Sequence, residues 1–190
     1  MSRLKIHDQG GLYFTTSTIV GWIDIFSRKI YRDIVIDSLR YAIEHKALYL
    51  FAYVVMTNHI HLVLQAGNPD KWPLSGILHD FKKYTAHEIL KAIQREPESR
   101  REWLMHMFRY YAKYDSNREL HFWKEYNHPV TLLSQQFTWQ KINYIHKNPV
   151  KAGIVKRAED YIYSSAGNYA RDNRDCLLEI ELMAPWWVGR

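Results

Sequence analysis

Cysteine is all but absent: Cys176 stands alone among 190 residues. A single thiol excludes a disulfide framework within the chain and any zinc site built on paired cysteines. Long apolar runs are missing as well, and none reaches the roughly 20 residues of a membrane-spanning helix. The opening stretch, MSRLKIHDQGG, lacks the apolar centre of a signal peptide. These absences predict a cytoplasmic protein with no membrane partner. No GxxxxGK[ST] phosphate loop occurs, and neither internal repeats nor low-complexity tracts are found.

What is present describes one compact domain. The length suffices for a single core and is short for two. Hydrophobic residues at 47% and charged residues at 24% are ordinary for a globular chain. The formal charge is +6, alongside fourteen Tyr, seven Trp and seven Phe. Lysine and arginine neutralise phosphate while aromatic faces stack on unpaired bases, so this mixture suits a nucleic-acid partner. A basic protein whose aromatics fill its core is the plainer reading, and composition alone leaves it ahead.

Periodicity predicts a strand over 11–20, a helix over 31–46, strands over 48–56 and 59–66, and a helix over 74–95 with an apolar stripe. A helical stretch is expected within 103–114. A further helix spans 135–148 and ends before Pro149, because proline disfavours helical geometry in the residue preceding it. Strand, helix, strand, strand, helix reads as an α+β layer, an antiparallel sheet covered by helices in a split β-α-β arrangement.

The stretch YVVMTNHIHLVL, residues 53–64, places two histidines within an apolar strand. Alternate strand residues share a face, so His59 and His61 point the same way with α-carbons about 7 Å apart. Two imidazoles on one face can hold a divalent metal, though the pair alone defines no site. A third ligand and a reacting group must come from elsewhere. In QQFTWQKINYIHKN, residues 135–148, Trp139, Ile142 and Ile145 form the core arc of a helix. Tyr144 lies roughly 160° from the centre of that arc, on the side of Gln140, Lys141 and Asn148. Asn148 follows Tyr144 by one turn, and its amide oxygen is placed to complete a metal site beside the tyrosine. Ordinary packing, or a plain helix end before proline, would explain either residue by itself.

The combination of His59-Ile60-His61 with YIHKNPVKAGIV, residues 144–155, resembles the single-tyrosine HUH transposases, above all the REP-associated, IS200-like group. DFKKYTAHEI, residues 80–89, and FWKEYNHPV, residues 122–130, are similar to the segments that follow the HUH strand and precede the tyrosine helix in that family. The likeness runs over about residues 11–169. It implies a ferredoxin-like α+β sheet and one HUH domain over 1–190, with a C-terminal extension from about 170.

The resemblance also implies a function. Tyr144 would be the nucleophile, forming a 5′-phosphotyrosine on DNA and releasing a 3′-hydroxyl. His59 and His61, with Asn148 third, would bind Mg²⁺ or Mn²⁺. The substrate would be single-stranded DNA beside a hairpin, acted on by a monomer or a homodimer, and gripped by Lys82, Lys83, Lys91, Lys147 and Lys151. A covalent intermediate conserves the phosphodiester bond, so strands are rejoined without a high-energy cofactor. Rival readings are a domesticated relative that binds hairpin DNA without cutting it, and a metal-dependent phosphodiesterase using water. The apolar tail LEIEL…APWWVGR would cover the active site in a self-restraining enzyme, or pack as ordinary core.

Overall fold

The computed structural model describes residues 6–113, 119–125 and 128–185. Four antiparallel strands, β1 (Tyr13–Thr18), β2 (Leu48–Val55), β3 (His59–Ala66) and β4 (Val130–Thr131), lie in the order β2-β3-β1-β4. That is the strand order of a split β-α-β layer. Helices α1 (Lys29–Lys46) and α2 (Leu74–Arg95) pack on each other, and α3 (Arg101–Ala112) follows. Helix α4 (Gln135–Lys151) packs on β2 and β3, and a short α5 (Ala166–Arg171) completes the chain. Among the described residues no helix is long and apolar enough to cross a membrane.

The register explains which helix meets which face. Phe14 pairs with Val63, Thr16 with His61 and Thr18 with His59, and His61 pairs on its other side with Val54. Directly opposed residues share a face, so these side chains line one surface of the sheet. Tyr53 and Leu62 face the other way, and Tyr53 lies within electrostatic range of Arg40 on α1. Helix α1 therefore covers the second face, and α4 covers the first. A bulge between Leu50 and Ala52 shifts β2 by one residue. Without it, Val54 would fall on the face of Leu50 rather than opposite His61.

One expectation changes in the fold. Helix α4 does not stop at Asn148; it continues through a buried Pro149 to Lys151. A proline in the last turn forgoes only the bond its N–H would have made to Ile145. Ala152 N–H still donates to the Asn148 carbonyl at 3.0 Å, so the turn closes. The tail packs on the core at Leu178 and Ile180 and leaves Glu179, Glu181 and Leu182 exposed. Arg40 donates to the Leu177 carbonyl, and Glu181 N–H donates to the Leu50 carbonyl. Trp139 Nε1 donates to the Ala184 carbonyl at 2.9 Å, which fixes the tail against α4. Residues 186–190, where the paired tryptophans fall, lie outside the described residues.

The charged break REPESRREW hides a buried hub. The Glu98 side chain is 2% exposed and accepts hydrogen bonds from Arg28 at 2.9 Å, Tyr31 at 2.8 Å and the Arg100 N–H at 3.0 Å. Burial works to raise its pKa, but the three donors and the Arg28 charge prevail and hold the carboxyl at about 2. The unfolded carboxyl takes up a proton first, near its ordinary 4.5. Stability is therefore present above that value and lost as pH falls from 4.5 towards 2. At about 1.4 kcal/mol per unit, the loss is about 3 kcal/mol. Urea denaturation across this range is expected to show the slope in the native protein and its absence in Glu98→Gln. A Glu98→Gln protein with an unchanged acid slope would contradict the assignment.

Candidate active site

Strand β3 carries His59 and His61 with ring centroids 4.7 Å apart, and Ile60 fully buried on the opposite face. Helix α4 brings Tyr144 over them. Its ring lies 5.3 Å from that of His61 and 6.0 Å from Phe14, edge-on to both. Trp139, Ile142 and Ile145 are buried beneath the helix, while Tyr144 stays 41% exposed. The wheel angle thus carries directly into space: the core arc anchors α4, and the tyrosine is turned to the histidine face.

A second tie holds α4 in place. His146 Nε2 and the Ser165 hydroxyl lie 2.9 Å apart, and Ser165 Oγ accepts from Tyr53 N–H at 2.9 Å. The tyrosine helix is thereby joined to β2 through the loop ahead of α5. Burial pushes the His146 pKa down to about 4, so that ring is neutral near pH 7.

Both strand histidines are held as neutral rings. Burial lowers the pKa of His59. Burial first, then the neighbouring His59 and Lys141, push that of His61 down to about 3. The Asn58 amide oxygen lies 2.8 Å from His59 Nδ1, and the Asn58 amide nitrogen donates to the Trp22 carbonyl at 3.2 Å. That oxygen only accepts, so His59 Nδ1 carries the proton and Nε2 presents its lone pair. His61 Nδ1 lies 2.8 Å from Thr16 Oγ1. Its Nε2 is buried without a hydrogen-bond partner. A buried polar atom left unmatched costs about 1–3 kcal/mol, and this nitrogen is open to a ligand.

The other expected residues sit at varied distances from this point. Asn148 is one turn beyond Tyr144, with its amide nitrogen donating to the Tyr144 carbonyl at 2.7 Å, and no described contact joins it to the histidines. Lys151 places its ammonium 5.8 Å from the Tyr144 ring centre, and Lys147 is exposed on the same helix. On α2, Lys82 donates to the Lys124 carbonyl at 2.6 Å, Lys83 is exposed, and Lys91 pairs with Glu88 at 3.6 Å. No described contact joins these three to the histidines.

Several neighbours were given no role in the sequence reading. Phe14 stacks on His61 at 5.2 Å, and Lys141 holds its ammonium 4.9 Å from the Phe14 ring. Trp22 meets His59 edge-on at 6.0 Å. Among the described residues no group of three or more His, Cys, Asp or Glu converges on one point. Among the described residues, a metal here would have two imidazoles and no carboxylate to draw on. Two neutral imidazoles, one with an unmatched buried Nε2, fit such an ion.

Residues 23–128 match the model of the family described as "Transposase IS200 like". The chain belongs to the IS200-like transposase family. It is thus a transposase by family, and the matched segment includes both strand histidines. The tyrosine helix lies after it. No curated protein matches the chain. A solved structure of a REP-associated tyrosine transposase bound to a REP hairpin is similar at 17% identity and a TM-score of 0.61, over 97% of this chain and 94% of that one. A candidate transposase from Deinococcus radiodurans gives 16% identity and a TM-score of 0.43, over 77% of this chain and 95% of that one. The first likeness bears out the α+β fold of an IS200-like transposase.

Proposed function

We propose that this IS200-like transposase cuts and rejoins single-stranded DNA beside a hairpin, through a 5′-phosphotyrosine on Tyr144. The observation that carries the reading is the approach of the Tyr144 ring to 5.3 Å from His61, whose buried Nε2 has no partner. A solved relative with the same fold is bound to a REP hairpin, which supports hairpin DNA as the partner.

Tyr144 oxygen attacks the scissile phosphorus, and the bond from phosphorus to the 3′ oxygen breaks. The phenolic proton ends, by way of solvent, on the released 3′-hydroxyl. Rejoining is the reverse attack by a 3′-hydroxyl, which restores the phenol. The aromatic contacts with Phe14 and His61 hold the ring, and the Asn148 bond to the Tyr144 carbonyl firms the turn that bears it. Lys141 and Lys151 bring positive charge to the phosphate side.

His59 and His61 would hold Mg²⁺ or Mn²⁺ through their Nε2 atoms, with Asn148 as third ligand. Bound there, the ion would polarise the scissile phosphate and offset charge in the transition state. A metal on Nε2 would leave the proton on His61 Nδ1, and the Thr16 hydroxyl, 2.8 Å away, would then accept that hydrogen bond and orient the ring. Thr16→Val keeps the shape and removes the acceptor. Mn²⁺ affinity, read by calorimetry, is expected to fall about 10- to 100-fold. Unchanged affinity would remove Thr16 from the account.

The test is covalent trapping. Labelled single strands from both flanks of the chain's own gene are incubated with Mg²⁺ or Mn²⁺ and run on a denaturing protein gel. A labelled band at the protein's position, lost without metal, is expected. Cleavage with no such band would instead support water as the nucleophile.

A further inference from the structure

We infer that Trp22 is a stacking platform for one unpaired nucleobase of the cleaved strand, set beside His59 and completed by Lys124. This rests on the DNA-cleavage reading above and names a subsite within it.

Trp22 is 57% exposed, although apolar surface of that size is ordinarily covered. Its φ is 56°, directly after Gly21 at 61°. A bulky side chain in the left-handed region is a backbone outlier that persists only where its surroundings over-determine it. The surroundings here do so. A side chain on Gly21 would meet Tyr111 Oη at 2.5 Å and would be strained at φ 61°, so the turn favours glycine. Trp22 N–H donates to the Ile19 carbonyl at 3.1 Å, and the Trp22 carbonyl accepts from Asn58. The fold holds an indole at the surface in a conformation that does nothing for the core.

Position decides what that indole is for. Asn58 binds the Trp22 carbonyl with its amide nitrogen and His59 Nδ1 with its amide oxygen. One side chain therefore sets both the platform and the ligand histidine. The rings of Trp22, His59, His61 and Tyr144 follow one another at 6.0, 4.7 and 5.3 Å. A strand whose phosphate lies at Tyr144 runs along this row and delivers a neighbouring base to Trp22. Lys124 holds its ammonium 4.5 Å from the indole centre, and its backbone is fixed by a bond to the Thr18 carbonyl. Among the described residues His59 is the one ring against the indole, and it is edge-on. An indole with one face under a cation and an adjacent open surface suits a base whose own phosphate reaches that cation.

The experiment measures binding without metal, so it does not depend on cleavage. Fluorescence anisotropy is read for a labelled single strand from the gene's flank and for its duplex. Trp22→Ala is expected to weaken single-strand binding about 10- to 100-fold. Trp22→Phe, which keeps an aromatic face, restores most of it, and duplex binding barely moves. An abasic scan of the strand supplies a second readout on the unaltered protein. One position should lose as much on base removal as Trp22→Ala does, and removing that base should cost the variant nothing further. Single-strand affinity within twofold of the unaltered protein for Trp22→Ala, or a flat abasic profile, overturns the platform. Neither result touches the tyrosine chemistry, which stands or falls on the covalent band.

Discussion

Replacing Tyr144 with phenylalanine is expected to abolish the protein–DNA adduct and to lower strand cleavage by at least about 10³-fold, the scale seen when a nucleophile is deleted. Hairpin binding should change by less than about threefold, because the substitution removes one oxygen and leaves the ring. The ring's contacts with His61 and Phe14 are edge-on and survive without the hydroxyl. Three results are thus expected together: a folded protein, a bound hairpin and no chemistry. Gel-shift and denaturing-gel measurements on one preparation check all three. If Tyr144→Phe still cleaves, the nucleophile is water and Tyr144 is a packing residue.

His61→Leu is expected to separate function from stability. The imidazole is 5% exposed and its Nε2 has no partner. A protein selected only to fold would gain by an apolar residue of similar size, since an unmatched buried nitrogen costs about 1–3 kcal/mol. The Thr16 hydroxyl loses its partner in the exchange, which offsets part of the gain. We expect a net gain of about 1 kcal/mol without metal, or about 2–4 °C in Tm for a chain of this size. Cleavage should fall at least about 100-fold, as expected for a lost metal ligand.

The gain has a pH dependence with a definite sign. His61 has its pKa pushed from 6.5 down to about 3. Between those values the unfolded ring binds a proton that the folded ring refuses, so the native protein loses stability as pH falls through that window. The leucine variant lacks this term, and its advantage widens from pH 6.5 towards 3. Thermal denaturation with a chelator, at pH 7 and pH 5, measures it. A leucine variant several degrees less stable at both values would mean that His61 is structural.

Much of this was legible because it is local. His59 and His61 share a face by strand alternation alone, and Tyr144 stands off its helix's core arc by simple angle. Both statements need only a period. Helix α2 was bounded correctly for the same reason: its apolar stripe runs from Leu74 to Ile93, interrupted only at Thr85. What was not legible depends on partners distant in sequence. Thr16 and Phe14 matter because β1 pairs with β3 in one register, and no local pattern states that register. The bulge that turns Val54 towards His61 is likewise invisible in LYLFAYVV.

Glu98 illustrates the same limit in electrostatics. Within REPESRREW it is one charge among several, and it becomes a hub only when α1 brings Arg28 and Tyr31 to it. Pro149 was misplaced by treating a rule for helix interiors as a rule for last turns. Trp22 follows a glycine in a short turn, which hinted at unusual geometry, but its closeness to His59 needs the Asn58 bridge. The candidate DNA-binding lysines lie on α2 and α4, whereas Lys124 stands beside the site rings with no local pattern to mark it, and Lys141 was marked only as sharing the side of Tyr144.

The most direct test is to map the adduct. The protein is reacted with a single-stranded substrate and metal, digested with trypsin, and the nucleotide-bearing peptide is sequenced by mass spectrometry. The account predicts the nucleotide on Tyr144, within the peptide INYIHK of residues 142–147, joined through a 5′-phosphate. A covalent nucleotide on any other residue, or cleaved strands with no modified peptide, would contradict it.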